Sequence, residues 1–325
     1  MTKLKLTMAV SHYDRHFPFF DGSVALDGVE LNVLLVGQSE PLKHGVDRHE
    51  RMLQTGEFDI CELSLSSYLM ARSRGMPFIA IPVFPRRLFS MSQMWVHAGA
   101  GIDSPKELIG CKVGLSTFQT TLSVLAKGDL QSEYGVDWRK IEWVVAKEET
   151  VPFKPQEGVK IRVVPPGRKI GSLLEQGEID ALFMPHPPKE VLRGSEKIRR
   201  LFSNARQEEL NYFHKNGFFP IMHVVAFKDE VLKQNPRLAL SVMEAFEKAK
   251  EVCRHYYDDP NWSRLAWGRH LFEEERSLLG DDPWPYGVKR NRANLERFMG
   301  YSLDQGLMEK KVGVEDLFTP ATLDT

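Results

Sequence analysis

Short apolar runs alternate with segments of helical period from residue 4 to about residue 227, and this alternation limits the chain to layered α/β folds. The runs are Leu4 to Val10, Val29 to Val36, Phe58 to Leu63, Phe78 to Val83, Lys112 to Leu115, Ile141 to Ala146, Val159 to Val164 and Ile179 to Met184. Between them, Glu40 to Gln54, Thr120 to Tyr134, Gly171 to Gln176 and Asn204 to His214 carry helix-like periodicity. From Asn235 the pattern changes. Leu238 to Tyr257, Trp262 to Leu279 and Arg292 to Leu307 read as a C-terminal helical tail. With 325 residues there is room for one large domain or two ordinary ones. An internal echo favours two: "GEFDICEL" at 56–63 resembles "GEIDALFM" at 177–184. "SPKELIGCKVGLS" at 104–116 looks like a new start, with Ser104 as N-cap and Pro105 at the first helical position. "FFPIMHVVAF" at 218–227 reads as a strand returning to the first half. The chain is therefore expected to be two-lobed. Residues 1–96 plus 222–325 would form a discontinuous first lobe with the C-terminal helices. Residues 97–221 would form an inserted second lobe, with a ligand cleft between the two.

A net charge of −1 gives no electrostatic footprint for nucleic acid, and Lys197-Ile198-Arg199-Arg200 reads as a solvated edge. No apolar stretch has membrane-spanning length. The run after "MTKLK" is a first strand rather than the core of a secretory signal, so a cytoplasmic location is expected. Cys61, Cys111 and Cys253 lack metal or redox spacing and read as reduced thiols. His12 and His16 are four apart but lie before Pro18 in a loop-like segment, and no other cluster has ligand spacing, so no metal is expected. Glycine-rich phosphate loops and the GxSxG elbow are missing, so no cofactor is expected.

Several segments taken in order, "HYDRH", "FDICELSLSSYLMARSRG", "FIAIPVFPRRLF", "GCKVGLSTFQTT" with "EYGV", "FFPIMH" and "DDPWPYGVKRNRANLERFMGYSLDQGL", resemble the 4,5-dihydroxyphthalate decarboxylase family over about residues 4 to 320. The chain departs from the family pattern at Ser90-Met91-Ser92 and at Val124-Leu125-Ala126-Lys127. The resemblance implies a type II periplasmic-binding-protein-like fold used as a cytoplasmic, metal-independent carbon–carbon lyase. It also implies the substrate class, a small aromatic carboxylate: a dihydroxylated phthalate would lose CO2 to give protocatechuate. Two other readings stay open: a solute-binding protein that captures such an anion without turnover, and a lyase of the chorismate dehydratase type.

The candidate site follows from residues at the expected strand ends. If a helix begins near Leu65, Ser64 is its N-cap, and the first-turn N–H groups with Ser66 and Ser67 are either ordinary capping or a seat for a carboxylate. Ser116, Thr117, Gln119 and Thr120 form a similar polar turn in the second half. Glu62 ends a run expected to be buried, where an unpaired carboxyl turns neutral and can donate a proton. A salt bridge to Arg72 or Arg74 is its alternative. Tyr13, Asp14 and Arg15 follow the first strand, and Arg15 or Arg86 has the fork geometry for a carboxylate, with Arg87 the less favoured neighbour. His223 in the returning strand and His186 in "MPHPP" titrate near neutrality. In the implied reaction His223 is base or acid, Glu62 or Asp14 the second proton carrier, and the remaining residues hold the substrate. Trp262, Trp267 and Trp284 in the tail would cover the first lobe or bury a face between copies in a homo-oligomer.

Overall fold

A computed structural model describes residues 2–36 and 47–325. In chain order its strands are β1 (Leu4–Val10), β2 (Val29–Leu35), β3 (Ile60–Ser64), β4 (Phe78–Ile81), β5 (Met94–His97), β6 (Lys112–Leu115), β7 (Glu142–Val145), β8 (Lys160–Val163), β9 (Ala181–Phe183), β10 (Ile198–Arg200) and β11 (His223–Lys228). The helix expected over Glu40 to Gln54 is found as Arg48–Thr55, while residues 40–46 of that expectation lie outside the described residues. Asp47 starts it by accepting from the N–H groups of His49 and Glu50, and Gly56 ends it at φ 60°, a left-handed conformation that glycine adopts without steric cost.

Two sheets form, ordered β2-β1-β3-β11-β4 and β10-β5-β9-β6-β7-β8. In the first, β1 pairs in parallel with β2 and β3, and β11 runs antiparallel between β3 and β4. In the second, β6 pairs in parallel with β7 and β9, and β5 runs antiparallel between β9 and β10. The echo of "GEFDICEL" and "GEIDALFM" thus falls on equivalent strands: β3 and β9 each lie between a parallel and an antiparallel neighbour. Two strands, β5 and β10, are additional to the expected runs. The segment 197–200, expected as a solvated edge, forms the edge strand β10, with Ile198 buried and Arg200 exposed.

The chain divides into two compact units, Met1–Arg86 with His223–Ala293 and Val312–Thr325, and Arg87–Met222 with Asn294–Lys311. The second unit starts before residue 97 because β5 is hydrogen-bonded into the second sheet. It includes residues 294–311 because Gln305 donates to the Val124 carbonyl at 2.8 Å and Asp304 accepts from the Trp138 indole at 2.9 Å. The tail expected wholly in the first lobe is therefore shared. Trp262 stacks on Tyr256 and Trp284 covers Arg15, but Trp267 is 75% exposed.

Covered on both faces, β3 and β11 are buried almost throughout. Glu62 is the one ionisable carboxylate in that run, and it has no exposure. Register places it: β11 runs antiparallel to β3, with His223 opposite Ser64 and Val225 opposite Glu62. The start of β11 therefore lies at the carboxyl ends of β1 and β3, the end of a parallel sheet where ligands bind.

Candidate functional site

The site of the first unit is built around Glu62. Its Oε1 lies 2.9 Å from Arg48 Nη2 and 2.5 Å from His223 Nδ1, and its Oε2 accepts from the Ser11 N–H at 2.8 Å. Arg48 is fully buried and its other donors go to the carbonyls of Glu62 and Val36, each at 2.8 Å. Burial alone would raise the Glu62 carboxyl, but the Arg48 guanidinium and the His223 hydrogen bond hold it well below the usual carboxylate range. This corrects the sequence expectation. Glu62 is an ionised carboxylate whose partner is Arg48, not a neutral acid, and not a partner of Arg72, which donates to the Phe78 and Asp316 carbonyls.

A carboxylate only accepts, so the proton between Glu62 and His223 sits on His223 Nδ1. Arg48 Nη2 is 3.5 Å from the same nitrogen, a contact of two donors rather than a hydrogen bond. Burial drives the His223 ring down to about 4 despite Glu62, so at neutral pH it is uncharged, with its lone pair on Nε2. Two more buried histidines belong to the cluster. His16 donates from Nδ1 to the Ser11 carbonyl at 2.8 Å, and burial lowers it to about 4. His49 packs its ring edge-on to His223 at 5.1 Å between centroids.

The remaining predicted residues fall in three places. Tyr13 stays with the cluster: burial raises its phenol, and the charges of Glu62 and Arg86 act on it. Arg86 is buried, and its charge lowers His49 and His223. Ser64, Ser66 and Ser67 are buried at the start of helix Leu65–Ser73, but the Ser64 side chain does not cap it. The Ser64 N–H donates to His49 Nδ1 at 3.1 Å.

Asp14 and Arg15 turn elsewhere. Arg15 is clamped between the rings of Tyr13 and Trp284, 4.2 Å from each, and donates to the Pro85 carbonyl. Burial would raise the Asp14 carboxyl, but Arg15 and the Tyr257 hydroxyl lower it, so Asp14 is ionised and not a proton donor. Both line a cavity of about 810 Å³ with Tyr257, Phe272 and Trp284, whose walls carry none of Glu62, His49 and His223.

In the second unit the turn before helix Thr121–Tyr134 is already bound by its own chain. The N–H groups of Phe118 and Gln119 donate to Glu149 at 2.6 and 3.1 Å. The Gln119 amide bonds Val151, Thr117 and Thr120 share a hydroxyl contact of 2.8 Å, and Ser116 accepts through its carbonyl from Ala146. Buried Lys127 donates to the Phe118 carbonyl at 2.8 Å. His186 is exposed beyond β9, and Arg87 donates to the Phe219 carbonyl at 2.6 Å.

Sequence reasoning missed Arg48 and His49, and weighed His16 only as a metal ligand. "DRHERM" reads as the solvated start of a polar helix, and only the fold shows that its Arg and His are buried against β3. Among the described residues, no group of His, Cys, Asp and Glu is arranged to hold a metal ion, and no helix is long and apolar enough to cross a membrane.

No family model matches the chain. A 4,5-dihydroxyphthalate decarboxylase of Comamonas testosteroni is 34% identical over 334 aligned residues, covering 100% of this chain and 99% of that protein. Another of that name, from Pseudomonas putida, is 31% identical over 213 residues, 63% of this chain and 80% of its own. Among solved structures, the periplasmic aliphatic sulphonate binding protein of Escherichia coli superposes with a TM-score of 0.54 at 12% identity, covering 99% of each chain. The fold is that of the periplasmic binding proteins.

Proposed function

The chain belongs to the 4,5-dihydroxyphthalate decarboxylase family, and on that footing we propose that it removes one carboxyl group of a hydroxylated aromatic dicarboxylate, 4,5-dihydroxyphthalate or a close analogue, as CO2. The observation that carries the reading to residues is the buried His223–Glu62–Arg48 cluster at the carboxyl ends of β1 and β3. Glu62 fixes the His223 tautomer, as a carboxylate orients a catalytic imidazole, and Arg48 keeps Glu62 ionised.

His223 Nε2 takes the proton of the ring hydroxyl para to the departing carboxylate. The electron pair moves into the ring, and a proton is added at the carbon that bears that carboxylate. The resulting dienone releases CO2, and the electrons of the broken C–C bond restore the aromatic ring. The proton returns from His223 to the phenolate, so one proton is consumed for each CO2 released. Arg86 anchors the carboxylate that stays. Tyr13, protonated and set among Glu62, Arg86 and Arg48, is the hydroxyl that gives its proton to that ring carbon, and the tyrosinate it leaves regains a proton from solvent before the next turnover. No step of this reading runs through a metal ion. A reducing, cytoplasmic location belongs to it as well, supported by three unpaired cysteines.

Incubation of the purified protein with 4,5-dihydroxyphthalate tests the activity. Equimolar CO2 and protocatechuate are expected, and in D2O the product carries deuterium at the vacated carbon. Saturable binding of the dicarboxylate without CO2 would instead establish a solute-binding protein.

A further inference from the structure

His49 is the second residue of helix Arg48–Thr55, and the helix turns its imidazole onto the end of β3. The Ser64 backbone N–H donates to its Nδ1 at 3.1 Å, which requires a lone pair there. The ring is buried, and Arg48 and His223 beside it disfavour a second proton. A neutral imidazole with a lone pair on Nδ1 carries its hydrogen on Nε2. That Nε2–H is buried and has no acceptor among the described residues. A buried N–H left in that state forfeits the bond it makes to water in the unfolded chain, and native folds rarely leave one so. Glu62, the nearby anion, is already taken by Arg48, His223 and Ser11.

The two edge-on rings are complementary. His223 has its proton on Nδ1 and a lone pair on Nε2, whereas His49 has a lone pair on Nδ1 and its proton on Nε2. We infer that His49 is a substrate-recognition residue whose Nε2–H donates to the ring oxygen next to the hydroxyl that His223 deprotonates, so that the pair of imidazoles reads two adjacent hydroxyls on an aromatic ring. The inference rests on the proposed reaction for the role of His223. It gives the Ser64 N–H a purpose: holding His49 in the tautomer that donates.

The test uses protocatechuate, which has both adjacent hydroxyls, and 3-hydroxybenzoate, which keeps the one that faces His223 and lacks the one para to the remaining carboxylate, which faces His49. In wild-type protein labelled with 15N-histidine, His49 should show a pyridine-type Nδ1 and a pyrrole-type Nε2. The Nε2–H resonance should move on titration with protocatechuate and stay in place with 3-hydroxybenzoate. His49→Ala should weaken protocatechuate about tenfold, the loss of one hydrogen bond, and leave 3-hydroxybenzoate within about twofold. His49→Gln, which keeps an N–H near the Nε2 position, should recover part of that loss. An unprotonated Nε2, a resonance that ignores protocatechuate, or equal weakening of both ligands by His49→Ala would overturn the inference. If 4,5-dihydroxyphthalate is not decarboxylated while protocatechuate still moves the His49 resonance, the recognition role stands and the reaction does not. If 4,5-dihydroxyphthalate is turned over while the His49 resonance ignores protocatechuate, the reaction stands and the recognition role is overturned.

Discussion

At the scale of single residues the site is governed by one ionised, fully enclosed pair. Arg48 and Glu62 satisfy each other and the carbonyls and amide around them, so removing one partner is far more damaging than removing both. Glu62→Gln should destabilise the protein by about 3–5 kcal/mol, because the Arg48 charge stays buried without its counterion. Adding Arg48→Met should recover a large part of that loss, and urea midpoints of the two single variants and the double variant measure the coupling. Additive losses would show that the pair does not act as a unit. Half of this pair was legible in the sequence. Glu62 stands out as an acid in an apolar run, whereas Arg48 and His49 occupy a polar segment whose burial depends on contacts distant in sequence. His223 was legible from "FFPIMH", but the uncharged state of its ring was not, since that state follows from burial.

At the scale of elements, helix Thr121–Tyr134 shows how much a correctly read helix can conceal. Its span was legible from periodicity to within a residue. Its polar entry turn looked open to a ligand, but Glu149, about thirty positions further on, supplies the carboxylate. Nothing local encodes that contact. Gly128 sits in the helix interior, where alanine is ordinarily better by about 1 kcal/mol. Here a Cβ would come within 2.1 Å of the Tyr301 ring, so Gly128→Ala should lower the melting temperature. An unchanged or higher value would mean that Tyr301 moves away freely. Next to it, buried Asp129 accepts from the hydroxyls of Ser90 at 2.7 Å and Tyr301 at 3.2 Å, and burial pushes its carboxyl up to about 7. The folded state therefore holds a proton there that the unfolded chain releases near 3.8, and the stability this gives is lost as pH rises through about 7. Asp129→Asn should match the wild type near pH 4 and exceed it in melting temperature at pH 8. An equal difference at both values would place the effect in packing rather than in the proton.

For the whole molecule, the alternation of runs was enough to read two α/β halves, because a parallel sheet buried on both faces writes itself as apolar segments. The short strands β5 and β10 were not legible as strands: one lies at an expected crossing, and the other carries charges suited to an edge. The same burial that shapes the site sets the acid limit of the fold. His16 and His223 are held near 4, and His49 is also lowered. The unfolded chain takes up protons at these rings below about 6.5, and the folded chain does not, so stability should fall as pH drops from 6.5 toward 4. His16 alone contributes about 3 kcal/mol over that window. Urea titrations across it should show a slope that becomes shallower in His16→Phe. A flat profile would mean that the rings take up protons in the folded protein. The central claim, that a neutral His223 oriented by Glu62 moves the substrate proton, is tested most directly by the turnover of His223→Ala on 4,5-dihydroxyphthalate at pH 7. A loss of about a hundredfold or more in kcat, with folding intact, is expected. A folded variant that turns over within a few-fold of the wild type would contradict it.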